Sequence, residues 1–258
     1  MQLPNSNLQN FLRQILTLMA IIAAFIINVV SNIYPLNGMN IGTISNTIFQ
    51  DVLIVPANYA FIIWGLIYVG LFSLGIYQVL PNQKEDQDLQ NTAYFLVIAS
   101  VCQSIWVYFF LARYFDLSVV AMLGILISLM MIYYRLGIGK KAVNRSKKLC
   151  LHYPISIYLS WISVATIVNI ACTLHFYKWT GWGINSQLWT VIMLIIATII
   201  CGIIVIKCED IPYSSVTVWA LIAIAVKHWD KALIRNSALI LAMMIFSLIT
   251  FVTMKPRN

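Results

Sequence analysis

Charged residues are scarce in this chain: only 9% of its 258 residues are Asp, Glu, Lys or Arg. Soluble domains carry roughly 25% charged residues, so this deficit excludes a soluble fold. Hydrophobic residues make up 61% of the sequence and form long apolar runs joined by short polar segments. In lipid such runs must be helices, because no water satisfies the backbone polar groups there. The sequence therefore predicts an all-α, polytopic membrane helical bundle.

Ionisable side chains are missing from the middle of every apolar run. An ion-coupled transporter usually needs such a group within the membrane, and a retinal protein needs a buried lysine. The five cysteines include no C-x-x-C pair, and no H-E-x-x-H, Ser/His/Asp cluster or phosphate loop occurs. We therefore expect no metal site, and we do not expect an enzyme.

About eight transmembrane helices are predicted from the apolar runs. The predicted spans cover residues 14–34, 56–80, 91–112, 117–136, 151–176, 188–206, 212–228 and 236–254. The first is too long for a signal peptide and is expected to be retained. The segment 35–55 is expected to be a solvated loop, with a lid folded back on the bundle as the alternative. The fourth span carries no polar residue that needs a partner.

The net charge of +8 is concentrated in the loop between the fourth and fifth spans. Anionic lipid headgroups explain this cluster better than nucleic acid, so no nucleic-acid partner is expected. With eight spans, the positive-inside rule places this loop and both termini in the cytoplasm and segment 35–55 outside. We expect an integral, multi-pass protein of a bacterial inner membrane or plasma membrane.

Aromatic and polar side chains mark one face on each of three predicted spans. On the second span the rings recur at offsets of three, four and four residues, at Phe61, Trp64, Tyr68 and Phe72. Offsets of this kind bring side chains to one narrow side of a helix. Lipid requires no such face, so it is expected to meet protein or a ligand. Helix packing is the plainer interpretation, and ligand contact is the alternative.

The fifth span has two faces that both suit contact with protein. One is a strip of small polar residues, Ser156, Ser160, Ser163 and Thr166. The other carries Tyr158, Trp161, Ala165, Asn169 and Cys172. A Trp and an Asn on one membrane-embedded face need a partner or a ligand, so this helix is expected inside the bundle.

The third span places Gln103 and Trp106 on one face. A lone Gln in a span usually bonds a neighbouring helix, and ligand contact is the alternative. His152, His175 and His228 lie at span ends, where histidine is more often solvated than bound to haem iron. Rings, amides and hydroxyls in the interior suit a large, flat, mostly apolar ligand fixed by a few polar contacts.

Two of these spans resemble signatures of the tryptophan-rich sensory protein family, also called TspO/MBR proteins, translocator proteins or peripheral benzodiazepine receptors. The second-helix signature reads roughly P-x-W-x-x-x-P-V-W-x-x-L-Y, and this chain matches it in register at Pro56, Trp64 and Tyr68. Asn58 and Ile62 stand where that signature has Trp and Pro. The fifth-helix signature reads P-Y-x-x-W-x-x-F-A-T-x-L-N, and the matching residues are Tyr158, Trp161, Ala165, Thr166 and Asn169. Gln103 and Trp106 are more loosely similar to the family's third helix.

The resemblance covers about residues 10–178. It implies a five-helix ligand-binding core over residues 1–178, followed by an additional three-helix membrane segment over residues 179–258. It also implies a pocket beside the first loop that binds porphyrins, haem, sterols or synthetic ligands, no obligatory cofactor, and often a homodimer. On this basis the predicted ligand site comprises Phe61, Trp64, Tyr68, Gln103, Trp106, Tyr158, Trp161, Ala165 and Asn169.

Three functions are compatible with these features. The first is a membrane ligand-binding protein that acts as sensor, scavenger or carrier for porphyrin-like molecules. The alternative is a multipass transporter or permease for an uncharged or amphipathic solute. An enzyme that acts on a tetrapyrrole or lipid is the weakest option, because no acid–base pair is visible in the sequence.

Overall fold

The computed structural model describes residues 4–254, with side chains from Leu8 onward. Every regular element in that range is helical. The helices are α1 (Pro4–Ile33), α2 (Ile41–Thr47), α3 (Ile63–Val79), α4 (Gln87–Leu111), α5 (Phe115–Leu136), α6 (Arg145–Lys147), α7 (Tyr153–Phe176), α8 (Ser186–Cys208), α9 (Ile211–Lys227) and α10 (Ala232–Met254). A 3-10 turn (Asn58–Ile62) leads into α3, and a π turn (Lys148–His152) joins α6 to α7.

Seven helical spans in the described residues are long and apolar enough to cross a membrane. One combines the 3-10 turn with α3, and another runs from Arg145 to Phe176. The apolar helix α9 has 17 residues and is shorter. The predicted polytopic helical bundle is therefore confirmed.

The first helix begins before residue 14, and polar side chains near that position find partners at the end of α3 and just beyond it. Arg13 donates to the carbonyl of Lys84 at 3.2 Å. Gln14 and Gln78 each donate to the backbone carbonyl of the other. These bonds satisfy polar groups that would otherwise be costly in an apolar setting.

Helix α7 lies at the centre of the bundle and packs against α3, α5 and α9. Both of its predicted protein-facing sides are buried, with Ser156 and Ser160 on one and Tyr158 and Trp161 on the other. Ser160 donates to the backbone carbonyl of Tyr213 in α9 at 2.6 Å. The small residues therefore let α7 and α9 approach closely, as the strip predicts.

The last three helices join the rest of the bundle through α9, which packs against α7, α8 and α10. Asp210, in the joint between α8 and α9, is buried. Its carboxylate accepts hydrogen bonds from Tyr133 of α5 at 2.8 Å and from Ser156 of α7 at 2.7 Å. The division of the chain into two segments at residue 178 stays a prediction. The Asp210 carboxylate connects three helices that lie on both sides of this division.

The basic loop and the acidic loop after α3 lie at the same end of the bundle. The Lys147 ammonium lies 2.7 Å from the carboxylate of Asp86 and 2.6 Å from that of Asp88. Burial raises the pKa of Asp86, but hydrogen bonds from Lys147 and from backbone N–H groups outweigh it and hold the pKa below its ordinary value. This pairing agrees with the predicted topology, in which an even number of spans separates the two loops.

Candidate ligand-binding site

An apolar cavity lies between α4, α5, α7 and the 3-10 turn that precedes α3. The space around its lining atoms, including solvent at its open side, is about 540 Å³. Six of the nine predicted site residues line it: Phe61, Trp64, Trp106, Trp161, Ala165 and Asn169. The fold thus brings together side chains that are more than a hundred positions apart in the sequence.

The aromatic faces of the second and fifth predicted spans oppose each other at this cavity. Phe61 and Trp161 meet edge to face with their ring centroids 6.1 Å apart. Trp64 and Tyr158 meet in the same way at 6.0 Å. Edge-to-face pairs hold rings in defined orientations, so the aromatic walls are arranged before any ligand is present.

Three predicted site residues, Tyr68, Gln103 and Tyr158, do not line this cavity. Tyr68 donates from its hydroxyl to a carbonyl of α1 at 3.2 Å, and its ring packs edge to face on Phe25. Tyr158 is buried behind the cavity wall. Gln103 is buried in α4, where neither amide atom has a hydrogen-bond partner in the described part of the chain. These residues support the wall.

Asn169 is engaged by neighbouring protein groups. Its side-chain oxygen accepts a hydrogen bond from the Trp106 indole N–H at 3.2 Å, and its NH₂ group donates to the Ser118 hydroxyl at 3.0 Å. Ser118 in turn donates to the carbonyl of Phe115 at 2.6 Å. The network fixes the Trp106 ring against the cavity, so Asn169 positions that wall.

Ser118 corrects one prediction from the sequence. The fourth span was expected to hold no polar residue that needs a partner, yet Ser118 is fully buried within α5 and bonded to Asn169. The two Ser residues of this run, Ser118 and Ser128, are too far apart to form a periodic pattern. The sequence therefore contains no signal that distinguishes Ser118 from a solvent-facing or lipid-facing Ser.

Trp161 contributes the unsatisfied polar group of the cavity wall. Its indole N–H is buried and has no hydrogen-bond partner among residues 4–254. An unpaired buried donor costs about 1–3 kcal/mol, and a ligand that supplies an acceptor removes that cost. Among the described residues that line the cavity, Trp161 thus has an unpaired buried side-chain donor.

The segment between α1 and α3 folds back over the cavity. It was expected to be a solvated loop, but it forms α2, in which Ser45 lines the cavity and Ile44 is fully buried. Phe49, also fully buried, packs edge to face on Phe115 at 4.8 Å. Burial of these two apolar side chains outweighs the polar composition of the rest, so the alternative of a lid is the one observed.

A polar vestibule adjoins the apolar cavity and shares three of its lining residues, Ile41, Phe61 and Trp64. Its empty space is about 1050 Å³. Amide side chains from α1, the lid and the 3-10 turn dominate its walls: Asn28, Asn32, Asn40, Asn46 and Asn58. Cavity and vestibule together form one amphipathic space, apolar inside and amide-lined at the mouth.

Helix α9 supports the segment that leads into this space. The backbone N–H of Ala57 donates to the carbonyl of Ala223 at 3.1 Å. The indole N–H of Trp219 donates to the carbonyl of Ala60 at 3.2 Å, and the Trp219 ring packs edge to face on Tyr59. The sequence offered no signal for these contacts, because they join residues far apart in the chain.

Metal ligands are not grouped in the part of the chain that the structure describes, where no cluster of three His, Cys, Asp or Glu occurs. None of the three histidines is among the residues that line the cavity. His175 instead lines an open apolar groove between α7 and α8, beside the packed rings of Trp179, Trp182 and Trp189. The cavity is thus lined by apolar, aromatic and uncharged polar side chains.

Fold and cavity together define a class: a polytopic helical membrane protein with an internal aromatic cavity beneath a folded first loop. The family model described as TSPO-like protein matches residues 14–251 of this chain. The chain belongs to that family and is an integral, multi-pass membrane protein of the TspO type. The match runs beyond the signature-bearing helices, through α8 and α9 and into α10. No curated protein and no solved structure matches the chain.

Proposed function

We propose that this protein binds a large, flat, mostly apolar ligand of the porphyrin type and acts as a membrane sensor, scavenger or carrier for it. The observation that carries the proposal is the pair of opposed aromatic faces at an interior cavity. A flat conjugated ligand stacks on such rings. Its acceptor atoms would meet the free indole N–H of Trp161, and its polar substituents would lie among the amides of the vestibule.

Titration of the purified protein with protoporphyrin in detergent, followed by quenching of Trp fluorescence, tests the proposal. Saturable quenching is expected in the wild type. Trp161→Phe keeps an aromatic ring but removes the indole N–H, so Kd should rise about fivefold, as for one lost hydrogen bond. Trp64→Ala removes a stacking surface and should weaken binding further.

Trp229→Phe is the matched control, because Trp229 is exposed and lies outside the cavity and the vestibule. It should leave Kd unchanged. Absence of saturable quenching in the wild type, or equal Kd values for wild type, Trp161→Phe and Trp64→Ala, would overturn the proposed function.

The proposal also covers the orientation of the protein in the membrane, the role of the ligand and the oligomeric state. Both termini face the cytoplasm, because the basic loop lies on their side of the bundle and the positive-inside rule places it there. In this proposal the porphyrin binds reversibly and takes part in no catalytic step. We also propose a homodimer, which only the family resemblance supports.

A further inference from the structure

Lys227 places a cation at the edge of the amphipathic space. It is the last residue of α9 and is only partly exposed. Its ammonium donates to the side-chain oxygen of Asn46 in the vestibule at 3.3 Å. The charge therefore lies at the vestibule, which adjoins the apolar cavity.

This cation has no anionic partner in the described part of the chain. The ion pairs among residues 4–254 involve Lys141, Lys147 and Lys231, and none includes Lys227. The nearby Asp230 is paired with Lys231 at 3.1 Å. Partial burial of an unpaired charge is unfavourable unless something compensates it, and a neutral amide compensates only in part.

The position of Lys227 is fixed by the helix that carries it. Trp219, Ala223 and Lys227 follow at steps of four residues and so lie on one side of α9. The first two bind the backbone of Ala60 and Ala57. The same side of α9 that holds the entrance segment therefore presents the ammonium to the mouth.

We propose that Lys227 recognises a carboxylate on the ligand, so that the protein selects flat amphipathic acids over their neutral analogues. The apolar body of the ligand lies in the cavity, while its carboxylate reaches the vestibule, where Lys227 forms a charge-assisted hydrogen bond. This inference rests on the proposed function, and it makes a residue of the C-terminal helices a determinant of specificity.

Parallel titrations with protoporphyrin and with its dimethyl ester test the inference, since the ester keeps the ring system and lacks both carboxylates. The wild type should bind the diacid about tenfold more tightly than the ester, as expected for one charge-assisted hydrogen bond. Lys227→Met should abolish this preference by weakening diacid binding only. Lys227→Arg should retain it.

Lys231→Met is the matched control, because Lys231 lies in the same loop region but is paired with Asp230. It should leave the preference intact. Equal affinity of the wild type for both compounds, or a loss of both compounds together in Lys227→Met, would overturn the role of Lys227 while leaving the proposed function standing. Failure of both compounds to bind saturably would overturn the proposed function and this inference with it.

Discussion

At the scale of single residues, the cavity is shaped by hydrogen bonds that hold rings in place. Asn169, Trp106 and Ser118 form a closed network in which each polar group meets another. Trp161, by contrast, has an N–H without a partner in the described part of the chain. The cavity therefore combines one tryptophan whose N–H is bonded to the protein with one whose N–H is unpaired.

Asn169→Leu tests whether the network of Asn169, Trp106 and Ser118 stabilises the fold. The substitution leaves the Trp106 N–H without its acceptor and should lower the free energy of unfolding by about 1–2 kcal/mol. Thermal unfolding in detergent measures the change. Asn236→Leu on the exposed side of α10 is the control and should cost much less. Equal losses in the two variants would contradict a structural role for the network.

At the scale of helices, Asp210 is one of the polar connections between the C-terminal helices and the others. It accepts hydrogen bonds from α5 and α7 and also from the backbone N–H of Tyr213, in the first turn of α9. Burial raises the pKa of Asp210 above its ordinary value, although bonds from Ser156, Tyr213 and Tyr133 lower it in part. The side chain thus caps one helix while it anchors two others.

Asp210→Ala removes these acceptors together, and we expect a loss of about 3 kcal/mol in the free energy of unfolding, measured in detergent. Asp230→Ala, at the opposite end of α9 and exposed, should change it by less than about 0.5 kcal/mol. A loss no larger than that of the control would contradict the anchoring role.

The pH dependence of stability offers a second measurement on the same residue. Because its folded pKa is raised, the stabilising contribution of Asp210 is fully present below its unfolded pKa of about 3.8 and is lost as the pH rises through the folded value. Asp210→Asn, which cannot titrate, should therefore show a smaller gain in stability than the wild type as the pH is lowered. Identical pH profiles would contradict the raised pKa.

Apolar runs and aromatic periodicity predicted the spans, the central position of α7 and six of the fifteen residues that line the cavity. These patterns did not predict the burial of residues whose packing partner lies far away in the chain. The lid was read as a solvated loop because Phe49 becomes buried only against Phe115. Asp210 lies at a span end, where an exposed carboxylate is usual, and only the approach of α5 and α7 encloses it.

At the scale of the whole molecule, α9 ties the C-terminal helices to the entrance of the cavity. The family match includes these helices, and the contacts of Trp219 and Ala223 show one physical role for them. The site is therefore built by helices from both halves of the chain.

Trp219→Phe isolates this connection, because the ring that packs on Tyr59 is retained while the hydrogen bond to Ala60 is lost. Amide hydrogen exchange over residues 56–62 should become faster, and Kd for protoporphyrin should rise about fivefold, as for one lost hydrogen bond. Trp229→Phe should change neither quantity. Unchanged exchange in Trp219→Phe would contradict the support by α9.

The lid also has a kinetic consequence. A seven-residue helix is too short to be stable alone, so α2 keeps its place only while Phe49 and Ile44 stay buried. For a ligand bound as proposed, opening of this short helix would widen the way out beside the vestibule. We therefore expect residence time to fall as α2 becomes less stable.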